Sequence, residues 1–247
     1  MNRLLLALSI IIYCTTIYAQ DTLRIASYNI RNCHGIDNIC NYSRTAKVLN
    51  KLNAHFIAIQ EIDSVTRRSN GVFVADTLAT LCDKRAHYGA AIDYKGGKYG
   101  VAILSCEEPI TTQNIPLPGR EERRTLFIAE YKKFFLACTH LSLTNDDRLA
   151  SLSIIDSIAG KSKKPFIIAG DFNDHPQSEL IKLMLVNWEL LSSYELPTFP
   201  ADSPTYTIDY IAIHRKNSQC IQHIGASVAD EPHASDHRPI VTTIILK

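Results

Sequence analysis

Six short stretches of this chain end in side chains able to bind a cation or move a proton. Asn29 closes the run Ser27-Tyr28-Asn29-Ile30, and Glu61 closes the apolar run through Ile59-Gln60. His140 ends Phe134-Phe135-Leu136-Ala137-Cys138-Thr139, while Asp171 and Asn173 end Phe166-Ile167-Ile168-Ala169-Gly170. Asp209 heads Ile208-Asp209-Tyr210-Ile211, and Asp236 and His237 lead into Pro239-Ile240-Val241. One acidic or amide residue at the end of an apolar run is ordinarily a turn former. Six such ends carrying Asn, Glu, His, Asp-x-Asn, Asp and Asp-His are more than turn chemistry requires. Buried carboxylates are costly unless paired or metal-bound. If the six ends share one rim, they build an oxygen-rich cleft with two imidazoles. Oxygen donors without thiolates suit Mg²⁺, Mn²⁺ or Ca²⁺ better than Zn²⁺, and the chain contains no Cys-x-x-Cys pair. A cation of that kind beside His and Asp suits attack of water on phosphorus.

The elements that must position these groups read as short strands interleaved with a few helices. Strand-like runs rich in Ile, Val, Phe, Tyr and Ala cover residues 23–31, 55–62, 87–93, 99–105, 125–130, 134–141, 165–172, 208–214 and 239–246. Amphipathic spacing predicts helices from Ser43 to Leu52, over 74–81, over 148–158 and over 178–185, the last with Glu179 in its first turn. Lys95-Gly96-Gly97-Lys98 is a hairpin signal. Strands outnumber helices, so the pattern predicts an α/β or α+β layered domain with a large, mostly antiparallel sheet system. No repeat, low-complexity tract or linker divides it.

At its start the chain carries Arg3, an apolar run over 4–13 and small residues over 15–19, the layout of a secretory signal peptide ending at Ala19. The expected organisation is therefore a leader over 1–19 and a single domain over 20–247, a monomer exported to the periplasm or the extracellular space. The run is shorter than the ~20 residues a bilayer span needs, and no other stretch is a membrane candidate. The chain has 26 Lys and Arg against 25 Asp and Glu. Without Arg3 the two balance, which argues against a dedicated nucleic-acid-binding protein. Of 7 cysteines, Cys14 falls in the leader. The others permit disulfides, with Cys33 and Cys40 the best candidate pair, while Cys106 and Cys138 lie in apolar runs that suit buried thiols equally.

Taken together and in order, Ser27-Tyr28-Asn29-Ile30, Gln60-Glu61-Ile62-Asp63, Thr139-His140-Leu141, Gly170-Asp171-Phe172-Asn173, Ile208-Asp209-Tyr210-Ile211 and Ser235-Asp236-His237-Arg238-Pro239 resemble the motifs of the endonuclease/exonuclease/phosphatase family. This is the superfamily of DNase I, abasic-site endonucleases, neutral sphingomyelinases and inositol-polyphosphate 5-phosphatases, and the likeness spans about residues 22–247. The resemblance implies a four-layer sandwich of two packed mixed β-sheets flanked by helices, with the site on one rim. It implies Mg²⁺ (or Mn²⁺) held by Glu61, with Asn29 and Asp236 completing or supporting the shell. It further implies that Asp171 orients or deprotonates water and that Asn173 holds the nucleophile or a phosphoryl oxygen. His237, oriented by Asp209, would bind phosphate or shuttle a proton, and His140 would donate to a non-bridging oxygen.

Two departures from the family pattern stand out. Nucleases of the family partner the first catalytic His with a Glu, where the nearest acid here is Asp93. No basic insertion for gripping a duplex is present, although Arg67, Arg68, Arg120, Arg123 and Arg124 are available to touch a phosphate or to lie solvated at the surface. Arg148 reads as a structural ion-pair partner, Trp188 as core, and His34, His55, His87, His175 and His223 as surface or packing residues. The Pro-rich stretch around Pro197-Thr198-Phe199-Pro200 reads as a loop beside the cleft. The substrate class stays open among nucleic acid, lipid head groups, inositol phosphates and nucleotides. An extracellular nuclease is one alternative. The other is a non-catalytic exported binding protein on the same fold, which the complete set of polar groups argues against.

Overall fold

A computed structural model describes residues 21–247. The expected leader over 1–19 lies outside the described residues. In chain order the elements are β1 (Asp21–Asn29), α1 (Tyr42–Lys51), β2 (Phe56–Ser64), α2 (Val74–Leu81), β3 (Arg85–Tyr94), β4 (Gly97–Ser105), β5 (Thr111–Leu117) and β6 (Arg124–Glu130). There follow β7 (Phe135–His140), α3 (Asn145–Ala159), β8 (Phe166–Asp171), α4 (Glu179–Asn187), β9 (Trp188–Leu190), β10 (Asp209–His214), β11 (Ile221–Val228) and β12 (Ile240–Leu246). Among the described residues no helix is long and apolar enough to cross a membrane.

The strands form two six-stranded sheets, ordered β11-β12-β1-β2-β4-β3 and β5-β6-β7-β8-β10-β9. Among the described residues only β1 with β2 and β7 with β8 pair in parallel; the other pairings are antiparallel. Both parallel pairs sit at the centre of their sheets, where strands are apolar on both faces. Ile25, Phe56, Ala58 and Ile103 of one sheet meet Leu136, Cys138, Ile167 and Ile211 of the other in a dry central core. Phe56 anchors it, its ring edge-on to Tyr131 and Phe134 at 4.7 and 5.1 Å. Leu49 of α1 and Leu78 of α2 cover the outer face of the first sheet. Ile155 of α3 and Met184 of α4 cover the second. The result is the four-layer sandwich with two mixed sheets. Trp188 is fully buried in the outer core and donates its indole N–H to Asp156 Oδ1 at 2.5 Å.

Local chemistry explains most of the boundaries. Lys95 and Gly96 carry φ of 45° and 84°, the left-handed pair that a two-residue hairpin turn between β3 and β4 requires. Ser178 caps α4 by accepting the Ile181 N–H. The α1 cap is Asn41, which accepts the Arg44 N–H, so this helix begins before the expected Ser43. The α3 helix likewise begins at Asn145, ahead of the expected 148, with Asp146 and Asp147 in its first turn. Three strands were not anticipated. β5 is an exposed polar edge with Pro116, β11 an exposed edge with Gly225, and β9 only 3 residues long. Edge strands bury one face at most, so they lack the apolar run that marks central ones.

Cysteine chemistry differs from the sequence expectation, since Cys33, Cys40, Cys82, Cys106, Cys138 and Cys220 are all free thiols. Cys33 turns inward and is hydrogen-bonded to Thr45, while Cys40 Sγ donates to Asn32 O at 3.7 Å. Their backbones are neighbours, but their sulfurs serve different partners. Cys106 is exposed and Cys138 buried, where it accepts from Gln60 Nε2 at 3.3 Å.

Candidate active site

Strand direction brings the six chemical groups to one rim. The parallel pairs β1/β2 and β7/β8 deliver Asn29, Glu61, His140 and Asp171 at or near their carboxyl ends. β10 and β12 run the other way, so Asp209 and the Asp236-His237 segment arrive there from their amino ends. The register places His140 and Asp209 on either side of Asp171. Across the sandwich, Asn29 Nδ2 donates to Asp171 Oδ2 at 3.0 Å, so the site straddles both sheets.

Glu61 is aimed by a local irregularity. The β2–β4 register slips between Ile59 and Ile62, and Glu61 has a φ of 58°. A bulge turns a side chain that strict alternation would commit to one face, and a left-handed φ is uncommon for a non-glycine residue. Glu61 Oε1 accepts from Asn29 Nδ2 at 3.1 Å and Oε2 from Asn32 Nδ2 at 3.5 Å. Asn29 Oδ1 accepts the Arg31 N–H at 3.0 Å, so its amide nitrogen faces the carboxylates and holds Glu61 and Asp171 together. Behind Asn32, Arg68 Nη2 donates to Asn32 Oδ1 at 2.5 Å while the same guanidinium grips the buried Asp63. Arg68 therefore acts as a strut beneath Glu61, stacked over Tyr94 at 4.6 Å.

Asp171 Oδ2 is the hub. Besides Asn29, it lies 3.5 Å from His140 Nε2 and 3.6 Å from His237 Nε2. Its Oδ1 accepts the Asn173 N–H at 2.9 Å, and Asn173 Nδ2 donates to Leu141 O at 2.9 Å. His237 Nδ1 lies 3.0 Å from Asp209 Oδ2. Ser235 Oγ donates to Asn29 O at 2.7 Å, which pins the loop carrying Asp236 and His237 to β1. Asp236 is half exposed, with Arg31 Nε 3.6 Å from its Oδ2.

The two imidazoles are driven apart in basicity. Burial acts to lower the pKa of His237, but Asp209, Asp171 and Asp236 outweigh it and raise it to about 10, so the ring is an imidazolium at neutral pH. Burial lowers that of His140 to about 4 despite Asp171, with Arg124 and His237 adding repulsion, so that ring stays neutral. One charged and one neutral imidazole flanking a carboxylate is the division of labour that acid–base chemistry needs. Burial, reinforced by Asp236 and Asp171, pushes the Glu61 carboxyl up against the Asn29 hydrogen bond. Carboxylates this crowded are short of positive charge. Asp209 Oδ1 is buried without a hydrogen-bond partner among the described residues. An oxygen-rich donor set with unmet charge fits a divalent cation. Asp171, Asp209 and His237 form a buried cluster whose donor atoms all lie within 4.8 Å of one another and can coordinate one once His237 releases a ring proton. Glu61 and Asp236 offer further oxygens on the other side of Asp171.

Other residues singled out in the sequence take structural places. Asp93 is exposed and paired with Lys98 Nζ at 2.7 Å on the hairpin, so it does not partner His140; Asp171 is the acid beside that ring. Arg148 pairs with Asp174 at 3.0 Å and donates to Ser142 O and Leu143 O. Arg120 pairs with Asp147, and the buried Arg124 with Glu121 and Glu122. Arg67 and Arg123 are exposed. His55 Nδ1 accepts from Arg24 N and His87 pairs with Ser105, both remote from the rim. Asn32 touches Glu61 yet carried no sequence signal, while Thr198 and Ser235, which touch Asp209 and Asn29, lie in stretches the sequence singles out without giving either a role of its own.

Glu121 ties the β5–β6 loop to the loop after His140. Burial opposes its ionisation, but hydrogen bonds from Ser142 and Leu143 N prevail and hold its carboxyl at about 2. A depressed carboxyl stabilises the fold above its unfolded pKa and loses that contribution as pH falls toward the folded value. Glu121 is exposed, so solvent screening discounts that contribution, and Glu121→Gln is expected to cost on the order of 1 kcal/mol at pH 7. The gap from wild type in urea titrations should narrow as pH falls from 4.5 toward about 2. A gap that does not change with pH would show the carboxylate charge to be irrelevant.

This rim, with its carboxylate hub, paired imidazoles and cation-ready oxygens, is that of a metal-assisted phosphoesterase. The chain belongs to the endonuclease/exonuclease/phosphatase family, whose model matches residues 26–237. No curated protein matches it by sequence. Among solved structures it is similar to a family protein from Bacteroides thetaiotaomicron, with 15% identity, 93% of this chain and 100% of that chain covered, and a TM-score of 0.75. A mannosyl-6-phosphatase of B. thetaiotaomicron VPI-5482 gives 16% identity, 91% and 100% coverage, and a TM-score of 0.71. The human nocturnin catalytic domain gives 18%, 92% and 98%, and 0.66. At these identities the likeness is one of fold.

Proposed function

We propose that this protein is an exported, divalent-metal-dependent hydrolase of small phosphoesters that directs water at phosphorus. The observation that carries the reading is Asp171 Oδ2, met by Asn29 at 3.0 Å and flanked by His140 and His237 at 3.5 and 3.6 Å. Glu61, Asp236 and Asn29 would hold the cation or support its shell. When bound, it supplies charge neutralisation at the phosphoryl oxygens. Asp171 orients water and accepts its proton. His237, held by Asp209, donates its Nε2–H to a phosphoryl oxygen, and neutral His140 donates to another. Asn173, fixed by Asp171 and Leu141, lines the same position. Export rests on the signal-peptide layout of residues 1–19.

Two features favour a small substrate. Arg68, Arg120 and Arg124 are committed to carboxylates, and a groove of about 630 Å³ is lined by His175, Tyr194, Pro197 and Tyr206, close in sequence to Asn173 and Asp209. Tyrosine and histidine rings in such a groove suit a sugar or another ring, and a mannosyl-6-phosphatase shares the fold. A second reading, a nuclease, is favoured by a hollow of about 210 Å³ beside Arg31, Asn32, His34 and Asn38, where Arg31 could meet a further phosphate. The test is hydrolysis of a panel with Mg²⁺, Mn²⁺ or EDTA. It comprises a sugar 6-phosphate, p-nitrophenyl phosphate, bis-p-nitrophenyl phosphate, an inositol polyphosphate, sphingomyelin and plasmid DNA. Turnover of small monoesters is expected. Preferred cleavage of DNA, with binding that weakens steeply in salt, would select the nuclease.

A further inference from the structure

The strap over 198–201 is stitched to both members of the Asp209–His237 pair. Thr198 is fully buried, and its Oγ1 donates to Asp209 Oδ2 at 2.6 Å, the oxygen that also faces His237 Nδ1. The hydroxyl in turn accepts the Ile208 N–H at 3.3 Å, so its own hydrogen is left for Asp209. The Thr198 carbonyl accepts the N–H of Arg238, the residue after His237, at 2.7 Å. Ala201 N donates to Asp236 O at 2.7 Å, and the Phe199 ring lies 4.9 Å from the His237 ring. One residue thus holds the carboxylate by its side chain and the imidazole's backbone by its main chain.

We propose that Thr198 is the positioning residue of the Asp209–His237 pair, its hydroxyl fixing Asp209 Oδ2 so that His237 keeps Nδ1 on Asp209 and Nε2 toward Asp171. The terminal torsion of an aspartate is broad, and among the described residues Asp209 Oδ1 has no hydrogen-bond partner to arrest it. The Thr198 hydroxyl is therefore the restraint that selects which oxygen meets the imidazole. Valine keeps the shape and removes the donor; serine keeps the donor. A hydroxyl that merely braced the strap would affect stability and leave the imidazole as it is. The effect on turnover rests on the phosphoesterase reading, whereas the effect on the imidazole does not.

The test uses the whole protein with ¹⁵N-labelled histidine and the variants Thr198→Val, Thr198→Ser and Asp209→Asn. The downfield Nδ1-bound proton of His237, assigned by its loss in His237→Asn, is expected in wild type and T198S and shifted or exchange-broadened in T198V. On the panel member that wild type hydrolyses, T198V should lower kcat about tenfold with KM within about twofold, the scale of one hydrogen bond to a charged group. T198S should recover most of that, and T198V should add nothing to D209N. If T198V fails to fold, Thr198→Ala takes its place. An unchanged resonance in T198V, or equal losses in the valine and serine variants, overturns the proposal. Wild type that shows the resonance but hydrolyses nothing sinks the phosphoesterase reading, and the imidazole signal then decides the role of Thr198 alone.

Discussion

Asp171→Asn is expected to lower kcat by about three orders of magnitude, roughly 4 kcal/mol of transition-state stabilisation. The change is nearly isosteric, yet it removes the acceptor at the point where Asn29, His140 and His237 converge. An amide there either turns an N–H toward the Asn29 N–H₂ and the imidazolium, which repels, or presents an oxygen without charge. The carboxylate also contributes to the raised basicity of His237, so its loss reaches a second participant. Steady-state kinetics on the preferred phosphoester, beside a thermal melt to show an intact fold, measure it. Activity within tenfold of wild type would mean that the reacting water lies elsewhere.

Glu61→Gln should separate cation binding from folding. Apparent affinity for Mg²⁺ is expected to fall about 100-fold, with activity partly restored at high Mg²⁺. In the metal-free protein the same change should leave the melting temperature equal or higher. Burial and the charges of Asp236 and Asp171 already disfavour ionised Glu61, so a neutral amide relieves a cost. Calorimetric Mg²⁺ titration alongside melts with and without EDTA reads both effects. Unaltered Mg²⁺ affinity would move the cation to the Asp171, Asp209 and His237 cluster.

What could be read beforehand was what lies at the centre of each sheet. β1, β2, β7, β8, β10 and β12 are apolar runs ended by polar groups, and their alignment turns chain order into a rim. The runs show that Asn29, Glu61, His140, Asp171, Asp209 and His237 end strands; only sheet pairing brings them within reach of Asp171. The bulge that aims Glu61 is invisible to period-two patterning, because it is the place where the period fails. The polar edges β5 and β11 pack too little apolar surface to leave a pattern. Thr198, Asn32 and Arg68 act through hydrogen bonds spanning 11, 29 and 36 positions, and nothing in their immediate neighbours marks the partner. Asp93 illustrates the converse, an acid at a suggestive place in the sequence that the hairpin turns toward Lys98 instead.

The central claim is that this rim hydrolyses phosphoesters with a divalent cation, and one assay addresses it most directly. Wild type and Asp171→Asn, purified identically, are compared on the phosphoester panel with Mg²⁺ and with EDTA. The account predicts turnover by wild type that EDTA abolishes, Mg²⁺ restores, and the variant lacks under both conditions. Turnover that survives EDTA, or that Asp171→Asn retains, would contradict it.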